Sequence, residues 1–466
     1  MALTEKDLQE IPETGIDPEN PGKYQEFLED LQGNILKGHG RDYSVHLFLK
    51  WIPEQVEPAK QWIKSFAQTY VTSARQQADE ALKYREQNIC GSVFANCLFT
   101  RKGYQALGFE PFQIPKDQPF RMGMKNAQIR ESLGDPEVTE WEQYFREEIH
   151  ALILIADDNP DTLSKTVEEI KAQLCEVAVI IHQQDGFILR NNKRQVIEHF
   201  GFVDGVSQPL FLKRDIVNAQ TKDCNFSLWD PRAPLDIIVV KDPNGKKTDS
   251  YGSYLVYRKL EQNVKGFRED KKQLANTLGI NNDLAGALVV GRFPDGTPVT
   301  KSKVPTSTLT NNFNYQDDFP ATKCPFHAHI RKTNPRGDTG RVESSPGFDE
   351  ALAMEKNHRI ARRAMSYGEN DPNQTPETGS GLLFLCFQAN IENQFNFIQA
   401  RWSNPDRFVQ VGVGSDPLIS KPKINQKWPK QWGEAETEDY GFKLWVSMKG
   451  GEYFFAPSLS FLTCLA

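Results

Sequence analysis

The stretch that decides the fold is HALILIADDNPDTLSKTVEEIKAQLCEVAVIIHQQ, which runs from His150 to Gln184. Its first part, HALILIAD, is a continuous apolar run, a pattern typical of a buried strand. Asp158 or Asn159 can then cap a helix that ends near Cys175. The apolar residues of that helix recur at helical spacing and are Leu163, Val167, Ile170 and Leu174. VAVIIHQQ predicts a second strand, so the stretch combines a strand, a helix and a strand.

The same order of elements stands earlier in the chain. SVHLFLKWI (Ser44–Ile52) has strand character, the charged stretch from Glu54 to about Gln87 favours one long helix, and GSVFANCLFT (Gly91–Thr100) predicts the next strand. Strand–helix–strand followed by strand–helix–strand is the ferredoxin-like unit. We therefore expect residues 1–235 to form an N-terminal ferredoxin-like domain.

The second half of the chain offers similar material. A polar amphipathic helix is predicted from Leu260 to Gly279, and the Pro-, Gly-, Asn- and Thr-rich residues 290–350 predict long loops, which are usually functional. The predicted strands are DIIVV (Asp236–Val240), YGSYLVYRKL (Tyr251–Leu260), GLLFLCFQANI (Gly381–Ile391) and FKLWVSMKGGEYFFAP (Phe442–Pro457). We expect residues 236–466 to form a second ferredoxin-like domain. The fold class is thus α+β with antiparallel sheets, and sheets that face each other would leave a cofactor-sized gap between them.

The bulk composition limits the classes of function. With 466 residues the chain is too long for one ordinary core, and its 25% of charged residues is typical of a soluble globular protein. A formal net charge of -7 argues against nucleic acid and anionic membranes as partners. The seven cysteines include no CxxC pair, which argues against a disulfide framework. No apolar run could span a bilayer and the N-terminus lacks a signal pattern, so the predicted location is cytoplasmic.

The stretch HFGFVDGVSQPLF, from His199 to Phe211, carries the first candidate functional residue. Asp204 stands between Gly201 and Gly205, and glycines on both sides let the backbone turn tightly and approach another group closely. Apolar residues lead into the turn, so we expect it to point inward, where a carboxylate must be paired or have a task. The alternative is an ordinary Asp-Gly turn at the surface.

The stretch CPFHAHIRKTNPR, from Cys324 to Arg336, is the second informative segment. Cys324, His327 and His329 could form a metal cluster, but no fourth ligand stands nearby and an extended chain would point Cys324 away from the two histidines. Ligation of haem iron needs only one neutral imidazole. The basic residues of the segment would suit haem propionates or would form a solvated basic loop. These residues are Arg331, Lys332 and Arg336.

Three further segments hold candidate site residues. HRIARRAMSYG (His358–Gly368) contains three arginines in an apolar frame, which an amphipathic helix with a solvated basic face would also show. In GLLFLCFQANI, strand alternation places Leu382 and Phe384 on one face, although the segment alone would be ordinary core. Asp416 in GVGSDPLI could by itself equally be a surface residue.

Together these segments resemble the dye-decolourising peroxidases, a family of haem enzymes, and specifically those of the cyanobacterial kind. The most specific parts are GFVDGVSQP at 201–209 and AHIRKTNPR at 328–336, in this order and with a downstream arginine. The resemblance runs from DLQGNIL to YFFAPSLSFL, close to the whole chain. It implies a fold of the dimeric α+β barrel type with haem b (iron protoporphyrin IX) between sheet and helices.

The resemblance implies a set of cofactor-binding residues in the second half. It places the iron ligand at His329, with His327 left open as the alternative because it stands two positions earlier. It makes Asp416 the acid that hydrogen-bonds the ligand, a contact that fixes the tautomer and raises ligand basicity. The remaining residues that it assigns to the cofactor in this region are Arg331, Asn334 and Arg336.

On the opposite side of the cofactor, the resemblance implies the residues that act on peroxide. Asp204 would move the proton as a general acid–base group. Arg362 would be the distal arginine that stabilises developing negative charge, with Arg363 as the alternative. Leu382 and Phe384 would line the distal pocket.

The activity that the resemblance implies is that of a haem-dependent peroxidase, which reduces hydrogen peroxide and oxidises bulky aromatic substrates such as anthraquinone dyes by one-electron steps. Large substrates would react at the surface through an aromatic such as Trp402. One alternative is a haem carrier or storage protein, which would not need both Asp204 and Arg362. The other is chlorite decomposition on a related barrel, which does not call for the Asp204 turn. The expected partners are peroxide and aromatic reductants, and a homo-oligomer is left open.

Overall fold

A computed structural model of the chain describes residues 2–11, 13–307, 309–342 and 347–465. Within these residues the strands are β1 (Tyr43–Trp51), β2 (Phe94–Phe99), β3 (Ala151–Asp157), β4 (Ala178–Phe187), β5 (Val240–Lys241), β6 (Tyr251–Gln262), β7 (Ala361–Arg362), β8 (Met365–Tyr367), β9 (Gly381–Gln388), β10 (Gln426–Pro429), β11 (Thr437–Tyr440) and β12 (Val446–Ala456).

The helices are α1 (Glu5–Gln9), α2 (Gln25–Asp30), α3 (Val56–Thr69), α4 (Ala74–Gln87), α5 (Arg101–Ala106), α6 (Gln118–Met122), α7 (Ala127–Leu133), α8 (Gln143–Arg146), α9 (Pro160–Leu174), α10 (Lys213–Lys222), α11 (Val264–Leu278), α12 (Asn282–Val290), α13 (His329–Thr333), α14 (Phe348–Met354) and α15 (Leu459–Thr463). Two π-helical turns cover Glu392–Asn396 and Ile398–Ser403. Across the part of the chain described here, no helix is both long and apolar enough to cross a membrane.

The main sheet is a barrel built from both halves of the chain. Its strand order is β5-β6-β12-β2-β3-β1-β4-β8-β9-β7, and β6 pairs with β9 in addition. That second pairing brings the two ends of the order together, so the strands from β6 to β9 form a closed ring. All the pairings between strands of this sheet are antiparallel. The two halves of the chain meet through one residue pair at each junction: Phe455 of β12 lies opposite Phe99 of β2, and Phe187 of β4 lies opposite Ser366 of β8.

The α+β fold of the dimeric barrel type is confirmed by this topology. The two halves do not form separate sheets that face each other across a gap, as the sequence suggested; they join edge to edge. One hydrophobic core runs through both halves and includes, for example, Leu28 and Leu462. The division at residue 235 falls before β5 and stays a prediction.

The stretch from His150 to Gln184 forms the elements that its pattern predicts. Every residue of β3 is buried, as expected for its continuous apolar run. Asn159 caps α9 by accepting hydrogen bonds from the backbone N–H groups of Asp161 and Thr162. The apolar face of α9 is buried and contacts β3, β1 and β4, so the helix packs directly on the main sheet.

Two sequence predictions are wrong. The long helix from Glu54 to Gln87 is interrupted between α3 and α4, because Val71 forms a β-bridge to Ala95 and Ser73 starts a new helix by capping it. The strand DIIVV is mostly a 3-10 turn at Leu235–Ile237, and only its last residue, Val240, enters the sheet. In both places tertiary contacts override the local pattern.

We predict that Gly381→Ala destabilises the barrel where β6 meets β9. A Cβ at Gly381 would stand 2.0 Å from the carbonyl oxygen of Leu260, so the two strands would have to separate. Overpacking of this kind costs ~1–3 kcal/mol in the free energy of unfolding. Urea unfolding measures the effect. Gly38→Ala is the control because its Cβ would meet nothing closer than the Arg363 side chain at 3.5 Å. Equal stability of the two variants would contradict the prediction.

Candidate active site

One large cavity gathers most of the predicted site residues. Its volume is about 1600 Å³, which exceeds the roughly 300–1,000 Å³ of ordinary ligand sites. Its walls come from β6 and β9 of the barrel, the loop around Asp204, helix α13 and the second π-helical turn. The sequence-predicted residues in its walls are Asp204, His329, Asn334, Arg336, Arg362, Leu382, Phe384 and Trp402. Arg331 and Asp416 do not belong to this lining.

Asp204 reaches the cavity on a tightly bonded loop. Its backbone N–H donates to the carbonyl of Val196 at 3.0 Å, and the N–H of Val203 donates to Pro294 at 3.1 Å. Its carboxylate accepts the backbone N–H of Gly205 at 2.6 Å. Gly201 has a φ of +96°, a backbone conformation that favours glycine and lets the chain turn into the motif. The inward-pointing interpretation of the motif therefore matches the geometry.

Arg362 is the arginine that accompanies Asp204. Its Nη1 lies 3.9 Å from Asp204 Oδ1, and the two side chains are 30% and 23% exposed. Arg362 is held by its own strand, β7, which pairs with β9, and by a hydrogen bond from its backbone N–H to Gln208 at 3.0 Å. Arg363 instead donates to the carbonyls of Asn34 and Ile35 and does not line the cavity. The geometry thus favours Arg362 over Arg363.

Strand β9 supplies an apolar wall. Leu382 and Phe384 line the cavity, whereas Leu383 and Leu385 are buried in the core on the other face. This is the alternation that the sequence pattern predicts for a strand.

His329 is the first residue of α13 and is oriented by Asp416. Its Nδ1 lies 2.8 Å from Asp416 Oδ2, and the Asp416 side chain is fully buried. The other carboxylate oxygen of Asp416 accepts the backbone N–H groups of Leu418 and Ile419, which fixes the acid. Because Nδ1 is engaged by Asp416, Nε2 is the nitrogen left to bind a metal.

His327 occupies a different environment. It is buried, its Nδ1 lies 3.0 Å from the carbonyl of Val413, and its ring packs edge-on against Trp428. Burial lowers the pKa of His327 to about 3, so it stays neutral. It does not line the cavity, which favours His329 as the ligand. In the described residues no group of three or more His, Cys, Asp or Glu side chains could hold a metal ion, so the Cys324 cluster finds no support.

Arg331 lies outside the cavity lining, although the resemblance assigns this residue to the cofactor. Its side chain is 1% exposed and lies between Asp318 and Asp338, with Nη1 to Asp318 at 3.0 Å and Nε to Asp338 at 2.5 Å. With both carboxylates bonded, its guanidinium is committed within the protein and away from the cavity wall. Lys332 is likewise buried and donates to the carbonyls of Pro405 and Phe408. Both side chains are thus bonded within the protein, and the cofactor-binding role of Arg331 stays a prediction.

A second group of arginines forms a cationic wall. Arg292, Arg336 and Arg359 line the cavity and, in the described chain, form no ion pair with a carboxylate. Their donors go to carbonyls, Ser207 and Asn311, and their guanidinium planes stack on Trp229 or Phe313. Burial lowers the pKa of Arg292 and of Arg359 to about 10. Buried cations without a counter-charge are costly, so this wall is suited to an anionic ligand.

Trp402 lines the cavity but is not a surface residue. It is 5% exposed and lies in the second π-helical turn. Its ring stacks on Phe408 with centroids 5.7 Å apart and meets His358 edge-on at 5.0 Å. A large substrate outside the protein would not contact this buried ring directly, and a role of Trp402 in the oxidation of such substrates stays a prediction.

Several residues of the cavity wall were missed from the sequence. Arg359 stands in the same segment as Arg362, and its apolar neighbours in the sequence could have indicated that it lies in the cavity wall. Glu198 immediately precedes the Asp204 motif and also lines the cavity. Arg292 follows α12 in a loop with no recognisable pattern, so only the tertiary structure places it there.

Comparison with known proteins identifies the class of enzyme. A barrel cavity that contains a carboxylate-held histidine, an Asp–Arg pair and a cationic wall is suited to a haem peroxidase. The family model described as DyP dimeric alpha+beta barrel domain matches residues 30–188, and the one described as Dyp-type peroxidase, C-terminal, matches residues 347–410.

Relatives extend this match to nearly the whole chain. The multifunctional dye peroxidase DyP2 of Amycolatopsis sp. is 38% identical, with 95% of this chain and 97% of that protein covered. A dye-decolorizing peroxidase of Mycetinis scorodonius, msp1, is 29% identical, with 93% and 86% covered. The solved structure of an Anabaena sp. DyP-type peroxidase is 66% identical, covers both chains fully and has a TM-score of 0.98. The chain belongs to the dye-decolourising peroxidase family and is a haem-dependent peroxidase.

We predict that Arg331→Ala destabilises the fold. The variant leaves the buried carboxylates of Asp318 and Asp338 without their main counter-charge, which costs ~3–5 kcal/mol when a buried pair is broken. Urea unfolding measures this loss. Arg401→Ala is the control, since Arg401 is exposed and forms no ion pair in the described chain. A variant at Arg331 that keeps its stability but loses haem would instead restore the cofactor role.

Proposed function

We propose that this chain holds haem b in the cavity, reduces hydrogen peroxide there, and oxidises bulky aromatic substrates such as anthraquinone dyes by one-electron steps. The observation that carries the proposal is the presence in one cavity of His329, held by Asp416, and of Asp204, held near Arg362. The names of the relatives, which are dye peroxidases, support the class of substrate.

The residues of the cavity fit haem in three respects. His329 offers a free Nε2 of the tautomer set by Asp416, and would hold the iron. The wall formed by Arg292, Arg336 and Arg359 would hold the propionates, and the Arg359 Nε is a buried donor without a partner in the described chain. The cavity is large enough for a macrocycle. Bound haem supplies an iron centre that peroxide can oxidise by two electrons.

Asp204 and Arg362 would provide the protein's part of the peroxide chemistry. The Asp204 carboxylate would take a proton from the peroxide oxygen that it faces and return it to the departing oxygen, as a general acid–base group. The Arg362 guanidinium would stabilise the negative charge that develops as that oxygen leaves. Leu382 and Phe384 would make part of the cavity wall apolar, which strengthens electrostatic contacts inside the cavity.

The alternatives have less support. A carrier or storage protein would need His329 but neither Asp204 nor Arg362, and these two lie together in the wall. Chlorite decomposition would need the distal arginine but not the Asp204 loop. The cytoplasmic location and a homo-oligomeric state stay predictions.

We predict that His329→Ala loses haem. Wild type reconstituted with haem should have a strong Soret band that shifts when one equivalent of peroxide is added, and the variant should lose most of that band because it lacks the residue that would hold the iron. Absorption spectra of equal protein concentrations make the comparison. His327→Gln is the matched control and should retain the band, as it does not line the cavity. A Soret band lost in the control and retained in His329→Ala would move the ligand to His327.

We predict that Asp204→Asn keeps haem but loses reaction with peroxide. The amide is close in size to the carboxylate but cannot carry the proton, and general acid–base catalysis contributes roughly 10²–10⁴-fold. Stopped-flow absorbance measures the bimolecular rate of peroxide reaction. Asp406→Asn is the control, because Asp406 lines the same cavity without contacting Arg362. Rates for Asp204→Asn within a factor of a few of wild type would contradict the proposed role.

A further inference from the structure

Glu198 holds the backbone of the loop that carries Asp204. Its two carboxylate oxygens accept the backbone N–H groups of Phe200, at 2.8 Å, and of Phe202, at 2.9 Å. The main chain closes the same turn, since the N–H of Glu198 donates to the carbonyl of Phe202 and the N–H of Gly201 donates to that of Glu198. The side chain thus ties down the residues that immediately precede Asp204.

The rest of the loop is anchored from the other side by aromatic packing. The ring of Phe200 stacks on Phe267 with centroids 4.1 Å apart, and that of Phe202 meets the same ring edge-on at 6.2 Å. Phe267 belongs to α11, so this packing fixes the loop to a cluster of buried apolar residues that is separate from the barrel core and also includes Trp428. On the cavity side the loop depends on the Glu198 carboxylate, which lines the cavity together with Asp204.

Gln262, at the end of β6, connects Glu198 to the barrel. Its Nε2 donates to Glu198 Oε2 at 2.5 Å, while its Oε1 is buried with no hydrogen-bond partner in the described residues. The amide can therefore serve both forms of the acid: it donates to the carboxylate, and after reversal it accepts from the protonated acid. The barrel strand and the loop are coupled through this one pair of side chains.

The charges around Glu198 are few. No cation forms an ion pair with it among the described residues, and the negative charge of Asp204, whose own cationic neighbour is Arg362, acts on it. Burial, reinforced by the charge of Asp204, raises the pKa of Glu198 to about 7. Glu198 therefore changes its ionisation near neutral pH, and its negative form is the stronger acceptor for the two backbone N–H groups.

We propose that Glu198 is a positioning residue that fixes the Asp204 loop in the cavity wall, so that Asp204 meets peroxide in one geometry. This inference rests on the proposed function of Asp204. The mechanism assigned to Asp204 requires its carboxylate to lie within hydrogen-bond distance of peroxide, and a loop free to move would lose that geometry for part of the time. Glu198 is tied to the loop backbone by two hydrogen bonds and to the barrel by Gln262.

The test compares the haem-bound wild type with Glu198→Gln. Hydrogen–deuterium exchange followed by mass spectrometry should be faster in residues 198–206 of the variant. The reason is that a glutamine amide has one accepting oxygen, whereas the carboxylate accepts one backbone N–H with each of its two oxygens. The bimolecular rate of peroxide reaction should fall by roughly tenfold above neutral pH, since a hydrogen bond to a charged acceptor is lost. Wild type should also have an inflection in that rate near the pKa of Glu198, and the variant should lack it.

A second variant tests the same inference if Glu198→Gln does not fold. Gln262→Leu leaves Glu198 in place but removes a hydrogen bond that lowers its pKa, so the inflection should move to higher pH. Asp270→Asn is the matched control, because Asp270 is a buried carboxylate that accepts the backbone N–H of Lys443 but does not line the cavity. It should lower stability without moving the pH profile.

The outcomes separate this inference from the proposed function. Unchanged exchange and an unchanged pH profile in Glu198→Gln overturn the positioning role, as does an unmoved inflection in Gln262→Leu. If Asp204→Asn also reacts normally with peroxide, the proposed function of Asp204 fails first. If Asp204→Asn is inactive while the Glu198 and Gln262 variants match wild type, only the positioning role fails.

Discussion

The pairing of β6 with β9 is the interaction on which the site depends. It closes the barrel, and it also sets the positions of residues on both sides of the cavity. Gln262 stands at the end of β6, Leu382 and Phe384 stand on β9, and Arg362 reaches the cavity because β7 pairs with β9. A change in register between these strands would turn the apolar wall to the other face, since side chains alternate along a strand. Closure of the sheet therefore also places Gln262, Arg362, Leu382 and Phe384 in the cavity wall.

The buried arginines fall into two groups, those with carboxylate partners and those without. Arg331 lies between two carboxylates and is fully compensated, as a structural cation should be. Arg292 and Arg336 are just as inaccessible to water but have only neutral partners. Stacking on aromatic rings lowers part of the cost of this burial. An anionic ligand would offset the rest of the free-energy cost of burying these guanidinium groups, so the arginines without carboxylate partners indicate where such a ligand would bind.

Local patterns predicted those features that depend on near neighbours in the chain. The strands and helix of residues 150–184 follow from apolar runs and spacing, the tight turn at Asp204 follows from its flanking glycines, and its inward direction follows from the apolar residues that lead into it. The interrupted helix after Thr69 could not be predicted, because the interruption is caused by a bridge from Val71 to Ala95. The burial of Trp402 is likewise decided by packing on Phe408, which local sequence does not encode.

The sequence by itself determined the α+β class, most of the strands, the family and the residue types available for chemistry. It did so because periodicity and turn residues act over a few positions, and because the Asp204 and His329 motifs are short and contiguous. Only the tertiary structure favours His329 over His327 and Arg362 over Arg363, and only it decided which arginines are compensated. Those choices depend on which side chains from distant segments meet: Asp416 with His329, Asp204 with Arg362, and Asp318 with Arg331. Contacts between segments so far apart in the chain are set by the closed barrel and leave no local pattern.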